Sequence, residues 1–190
     1  MSNKDIKSIV RKDIREKREN LSEGEKEKLS SQIIKRFFEN TFSYLEKAQV
    51  IMSYMDFKNE VSTGEINKKL IEMGKTVLIP RVSEDKSRII PVVLNREFKK
   101  GNFGILESKG NDFTEKNIDI VIVPGVAFNT RGERIGFGRG YYDKFLNSFE
   151  ETKPLKISLA YDFQVDDRFF GEEYDEKIHI LITESKIMKF

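Results

Sequence analysis

Residues 119–146, DIVIVPGVAFNTRGERIGFGRGYYDKFL, carry the residue types best suited to chemistry in this chain. An apolar run, Ile120 to Val123, stops at Pro124-Gly125. A polar turn then leads into Arg134-Ile135-Gly136-Phe137-Gly138-Arg139-Gly140 and on to Tyr141-Tyr142-Asp143. Alternating glycines permit positive φ and let backbone approach a ligand closely. Successive amides in such a loop can form a concave anion site, and a following helix N-terminus adds positive potential. With Arg134 and Arg139 among the glycines and Asp143 just beyond, the pattern suits a nucleotide polyphosphate with a divalent cation. The competing reading is a plain turn between a strand and a helix. The loop is not a Walker A loop, because no Gly-Lys-Ser/Thr is present. Nor is it the dinucleotide fingerprint, which places GxGxxG directly between strand and helix.

Other candidates are scattered. Lys7 and Arg11 lie four residues apart in a basic segment, on one face of a predicted helix. A solvated basic face is the default reading, and a pair of cations reaching a phosphate is the functional one. Glu60 follows a predicted strand, where a carboxylate can bind a ligand amine or amide or simply serve a turn. Met55 and Phe57 are core by default, or the lining of a pocket for a flat aromatic ligand. Asp175 with Asp143 could complete a Mg²⁺ site, since that ion takes one or two carboxylates together with phosphate oxygens and waters. His179 reads as a strand histidine, not a general base.

Composition narrows the classes. Of 190 residues, 34 are Lys or Arg and 32 Asp or Glu, a net charge of +2 that gives no case for an electrostatic nucleic-acid binder. With no cysteine and one histidine, a thiolate nucleophile, a Cys-ligated metal and a Ser/His/Asp triad fall away. No apolar run approaches a membrane span and the N-terminus lacks the apolar core of a signal peptide, so a cytoplasmic protein is expected. The 38% hydrophobic content, with 15 Phe and 6 Tyr, supplies one core, so residues 1–190 are read as a single domain.

The elements that must position these residues follow from periodicity. Ile6, Ile9, Val10 and Ile14 mark an amphipathic helix over 3–20, with Lys4, Lys7, Arg11, Arg15 and Arg18 as a basic stripe beside it. Ser22 with Glu25 forms a capping box for a helix over 22–40, with Leu29, Ile33, Ile34, Phe37 and Phe38 as its apolar stripe. Ser62 with Glu65 predicts a second capping box, for a helix ending at Gly74. Strands are expected at 48–54, 76–80, 88–94, 119–123, 155–161 and 177–183, a helix at 140–150, and a loop-rich excursion at 95–117. Alternation of strands and helices argues for an α/β fold with a largely parallel sheet. In such sheets ligands sit at the carboxyl ends of strands where the strand order reverses.

Taken together, these blocks resemble the 5-formyltetrahydrofolate cyclo-ligase family over residues 7–184. The most specific match is PGVAFN…G-ERIGFGRGYYDKFL; Lys7-xxx-Arg11, EVST at 60–63, IPRV at 79–82, GNFGILES at 101–108 and SLAYDFQ…YD…ITE support it. The resemblance implies a three-layer αβα sandwich with N-terminal helices packed on it, and a cytoplasmic monomer. It implies ATP- and Mg²⁺-dependent closure of 5-formyltetrahydrofolate to 5,10-methenyltetrahydrofolate, giving ADP and phosphate. On this analogy Lys7, Ser8, Ile9, Val10 and Arg11 hold ATP together with Arg134, Ile135, Gly136, Phe137, Gly138, Arg139, Gly140, Tyr141 and Tyr142. Asp143 and Asp175 match the magnesium carboxylates. Met55, Glu60 and Tyr142 contact the reduced folate, and Arg134 and Tyr142 act in catalysis. The chain departs from the family pattern at Asn129, where Asp is common, at Ser108, at Tyr174 and at His179. A related ATP-binding enzyme with another substrate, and a non-catalytic nucleotide-binding or RNA-associated module, are the rival readings.

Overall fold

The computed structural model describes residues 1–95, 97–100, 106–115, 117–149 and 153–190. The chain opens with two helices, α1 (Asn3–Glu19) and α2 (Glu23–Lys47). Then come β1 (Val50–Met52), α3 (Gly64–Glu72), β2 (Thr76–Val82), β3 (Ile89–Val93) and a hairpin of β4 (Phe98–Lys100) with β5 (Leu106–Ser108). The second half holds β6 (Ile120–Ile122), a short hairpin of β7 (Ala127–Phe128) with β8 (Arg134–Ile135), α4 (Tyr141–Asn147) and β9 (Leu155–Leu159). It ends with a 3-10 turn (Asp162–Gln164), β10 (Ile180–Ile182) and β11 (Ile187–Lys189).

Seven strands form one sheet in the order β11-β10-β9-β6-β1-β2-β3. Its five inner strands are parallel, and the edge strands β3 and β11 run antiparallel. The α/β class expected from the sequence is therefore observed. Alternation along each strand divides two cores between the sheet faces, as a period of two requires. Ile51, Val77, Ile120, Ile122, Ile157 and Ile180 meet α2 and α3 through Ile33, Phe37, Leu45, Ile66 and Leu70. Their neighbours Val50, Met52, Leu78, Val121 and Leu181 face the opposite side and meet Leu146 of α4, Phe149 and Phe128. Helix α1 packs apart from both, placing Val10 and Ile14 against Val126, Ala127, Ile135 and Phe169. It is thereby seated on the β7–β8 hairpin.

Several local expectations are corrected. Helix α2 runs to Lys47 and not to 40, because fully buried Thr41 and Leu45 extend the stripe begun by Ile33 and Phe37. The Ser22–Glu25 capping box is present, but the one expected at Ser62 is not. There, Thr63 Oγ1 donates to Tyr54 O at 2.6 Å, Ser62 Oγ turns to Asp56 Oδ1 at 3.4 Å, and α3 begins at Gly64 without a side-chain cap. Ile9 is 42% exposed and leaves the apolar stripe of α1. The strand expected at 48–54 pairs only over 50–52. The edge strand β11 was not anticipated, and the 95–117 excursion contains the β4–β5 hairpin. The GNFGILES block lies mostly outside the described residues.

Phe37 is completely buried beneath the sheet and meets Phe38 edge-on at 5.2 Å. Phe37→Ala should lower the stability by about 3–5 kcal/mol. The check is urea denaturation, with a reduced midpoint and an unchanged slope.

Candidate active site at the switch in strand order

The chain passes from β1 to β2 and β3 on one side, then returns to place β6 on the other side of β1. The strand order thus reverses between β1 and β6, and the segments leaving their carboxyl ends diverge. Between them opens a cavity of about 460 Å³, in the position the general rule for open α/β sheets assigns to a ligand. One wall comes from Tyr54 to Glu60, directly after β1. Another comes from Pro124 and the Arg134–Asp143 segment after β6. Pro80, Val82 and Ile89 of β2 and β3 close one side, and Arg15 and Arg18 of α1 the other.

The wall after β1 holds a buried carboxyl. Glu60 is 8% exposed, and its Oε2 accepts from the Phe57 amide at 3.0 Å. Burial raises its pKa to about 7, against the opposing pull of the Arg18 charge and the Phe57 hydrogen bond. Tyr54 is buried behind it, and Met55 and Phe57 are half-buried on the cavity wall. The default reading of these last two as core is therefore wrong.

The wall after β6 depends on a turn built by Asn129. Its Oδ1 accepts from the amides of Arg131 and Glu133, while its Nδ2 donates to Glu133 Oε2 and Phe169 O. An amide suits this place because it must donate to a carboxylate, which an ionised Asp cannot do. The hairpin then delivers Arg134, 5% exposed, whose Nη2 meets Asp143 Oδ1 at 2.6 Å. Gly138 (φ 102°) and Gly140 (φ 65°) take the positive φ that glycine alone adopts freely; Gly136 does not. Gly140 caps α4, and the first turn of that helix carries Tyr142 and Asp143. Among the described residues, the Tyr142 hydroxyl and Arg134 Nε are buried without a hydrogen-bond partner. Both belong to residues lining the cavity. Burial and the nearby Glu60 raise the Tyr142 pKa, so its hydroxyl remains a proton donor.

Asp143 stands beside the backbone of the segment that carries Asp175. Asp143 Oδ1 accepts from the amide of Glu176 at 3.3 Å, adjacent to Asp175. Asp175 in turn meets Lys7 Nζ at 2.8 Å. Among the described residues no group of three or more His, Cys, Asp or Glu side chains is placed to hold a metal ion. Two carboxylates are nonetheless enough for Mg²⁺ that keeps waters and phosphate oxygens.

Of the predicted residues, Met55, Glu60, Arg134, Gly136, Phe137, Arg139, Gly140, Tyr141, Tyr142 and Asp143 line one cavity. Lys7 and Arg11 stand beside it. Arg11 Nε donates to Gly136 O at 2.9 Å and Lys7 is 8% exposed, so these two do not stand on a solvated face, whereas Lys4 and Arg15 of the same stripe are exposed. Ser8, Ile9 and Gly138 are exposed and outside the lining. Val10 and Ile135 lie in the core of α1 and the hairpin, so any ligand contact of theirs is through backbone. His179 precedes β10, and its Nδ1 accepts from the Lys156 amide. The sequence did not mark Tyr54, Pro80, Val82, Ile89, Arg15 or Arg18 as site residues; Arg15 and Arg18 had a signal in the basic stripe, and Pro80 and Val82 in the IPRV block.

A sequence model of the 5-formyltetrahydrofolate cyclo-ligase family matches residues 3–184. The chain belongs to this family. A solved 5,10-methenyltetrahydrofolate synthetase of Aquifex aeolicus superposes with a TM-score of 0.82 at 32% identity, covering 97% of this chain and 92% of that one. Another, from Mycoplasma pneumoniae, gives 0.78 at 28% identity, covering 94% and 98%. A probable 5-formyltetrahydrofolate cyclo-ligase of Caenorhabditis elegans is 26% identical, over 98% of this chain and 97% of its own length. The cyclo-ligase fold thus accounts for the whole sheet and not only for the glycine loop. No helix among the described residues is long and apolar enough to cross a membrane.

Glu60 also predicts a pH dependence of stability for this cyclo-ligase family member. The folded protein holds the proton up to about pH 7, whereas the ordinary value is 4.5. Between these limits the folded state binds more protons than the unfolded chain, so stability falls as pH rises. The loss is complete above the folded pKa and reaches at most about 3 kcal/mol. Glu60→Gln should flatten this slope in urea midpoints taken from pH 5 to 8. Equal slopes in the two proteins would show that Glu60 is ionised throughout.

Proposed function

We propose that this chain catalyses the ATP-dependent cyclisation of 5-formyltetrahydrofolate to 5,10-methenyltetrahydrofolate, releasing ADP and phosphate, as a cytoplasmic monomer. The observation that carries the reading is the polarity of one cavity. An apolar and carboxyl-bearing wall, Met55, Phe57 and Glu60, faces a cationic glycine loop that ends in Asp143. A flat, amine-bearing pterin suits the first and a polyphosphate suits the second.

The formyl oxygen of an amide is a poor leaving group. Its attack on the γ-phosphorus expels ADP and leaves the carbon bearing a phosphate ester. N10 then attacks that carbon and loses its proton to solvent or to the departing phosphate, which leaves with the former formyl oxygen. The protein needs no covalent nucleophile for this sequence. Its contribution is to align oxygen and phosphorus and to stabilise developing charge. Arg134 is suited to the transferring phosphoryl group, because it is buried and its Nε lacks a partner among the described residues. Tyr142, on the same wall, supplies a second donor that burial keeps protonated. Glu60 takes a ring N–H of the pterin and holds the reactive face toward Arg134. Lys7 and Arg11 extend the cationic surface along α1. Their present partners, Asp175 and Gly136 O, keep both side chains ordered before nucleotide arrives.

Asp143 and Asp175 are the residues that would hold Mg²⁺, which when bound would neutralise charge on the phosphates. Each is paired in the free protein with a cation of the phosphate side, Arg134 and Lys7. On this reading phosphate oxygens would replace the carboxylates at Arg134 and Lys7, and Asp143 and Asp175 would be free to hold the ion.

Purified protein mixed with ATP, Mg²⁺ and 5-formyltetrahydrofolate should generate methenyltetrahydrofolate absorbance only when all three are present. Asp143→Ala should lower kcat/KM by about 100-fold. Undiminished turnover would remove Asp143 from the metal role. Nucleotide binding without methenyl absorbance would keep the loop assignment and replace the folate.

A further inference from the structure

Arg18 has no part in the reading above. It sits on the basic stripe of α1, where solvent exposure is expected, yet it is 3% exposed. Its guanidinium serves one turn of the cavity wall. Nε donates to Asn59 O at 3.2 Å, and Nη2 donates to Phe57 O at 3.1 Å and Lys58 O at 2.6 Å. The same Nη2 lies 3.9 Å from Glu60 Oε1. In return, Asn59 Nδ2 donates to the carbonyl of Arg18 at 2.8 Å.

The turn needs such an anchor. Lys58 and Asn59 both have positive φ, 48° and 54°, in succession. Side-chain-bearing residues resist this conformation, and two in a row persist only where surroundings hold them. Three consecutive carbonyls also converge on one point, which is favourable only if a cation occupies it. The consequence lies one residue further on. The turn brings the Phe57 amide to Glu60 Oε2 and leaves Glu60 on the cavity wall.

Glu60 is surrounded by charge and polar groups from every side. Arg18 faces it from α1, Lys26 from α2, Asp56 and Tyr54 from the segment after β1, and Tyr142 from α4. Lys26 lies 3.6 Å from Asp56, so much of its charge is answered there. Arg18 is accordingly the cation that governs Glu60.

We propose that Arg18 is a positioning residue: by clamping the carbonyls of Phe57, Lys58 and Asn59 it sets the orientation of Glu60 toward the ligand. The folate identity of that ligand rests on the function proposed above; the clamp itself does not. Lysine is a poor replacement, since a compact ammonium cannot reproduce a planar fork aimed at three carbonyls and a carboxylate.

Three variants and three measurements test this. Arg18→Gln should raise KM for 5-formyltetrahydrofolate by about tenfold while KM for ATP moves less than about threefold. In the ligand-free protein, carbon-13 NMR titration of the Glu60 carboxyl should move to higher pH, because the cation favouring its charged form has gone. Arg18→Lys should restore the titration in part but keep the raised folate KM. Adding Asn59→Gly to Arg18→Gln relaxes one positive φ, so it should recover thermal stability without recovering folate binding. A role confined to folding would instead restore both together. An unchanged folate KM, equal rises in both KM values, or an unmoved titration would overturn the proposal. If the parent protein does not turn over 5-formyltetrahydrofolate, the functional reading fails. The titration then still decides whether Arg18 governs Glu60.

Discussion

The parallel pairing of β1 with β6, Ile51 opposite Ile120, is the constraint on which the rest depends. Both strands end at the same level, but the chain continues from them in opposite directions across the sheet. Backbone cannot fill the gap that results, so it becomes a cavity. Much of what lines the cavity is chain forced to leave one of those two strand ends. The 53–60 segment leaves β1, and the hairpin with its glycine loop leaves β6. Their separation follows from strand spacing, which the two buried cores fix on either face of the sheet.

Charge is distributed around the cavity in a consistent manner. Where the walls meet solvent, cations and carboxylates are paired, as in Lys7 with Asp175 and Glu172. Deeper, the pairing is incomplete. Glu60 keeps its proton to about pH 7, and the Tyr142 hydroxyl and Arg134 Nε lack partners among the described residues. Each feature opposes folding locally, and all three line one space. A protein can retain such groups when a ligand completes them, because ligand hydrogen bonds replace the water lost on burial. The ion pair of Arg134 with Asp143 belongs to the same logic. It satisfies a buried cation with a partly exposed carboxylate that also lines the cavity.

Much of this was legible in the sequence because it is local in the sequence. Gly138, Gly140, Tyr142 and Asp143 lie within six residues, so type and spacing alone suggest an anion-binding turn. The short apolar runs Val50–Met52 and Ile120–Val123 read as buried strands, and the alternation of strands with helices pointed to the α/β class. Failures occurred where long-range partners decide. Lys7 and Arg18 look like a solvated stripe until the fold brings them Asp175 and the 57–59 carbonyls, 168 and about 40 residues away. Ser62 has the spacing of a capping box, but Asp56 and the Tyr54 carbonyl compete for its turn. Met55 and Phe57 are apolar enough for a core, and only the divergence of β1 and β6 leaves them on an open wall.

Helix α1 links the two sides of the cavity, which gives it a role that its sequence hides. Its apolar face, Val10 and Ile14, is seated on the β7–β8 hairpin that carries Arg134. From the same rigid rod Arg11 reaches the glycine-loop carbonyl at Gly136, and Arg18, seven residues further along, reaches the turn before Glu60. At 1.5 Å per residue the two guanidinium roots stand roughly 10 Å apart along the axis. That is a fixed spacing between the glycine-loop wall and the wall that follows β1. A displacement of α1 relative to the sheet would therefore disturb its contacts with both walls at once. The helix is best understood as a strut that sets the width of the site.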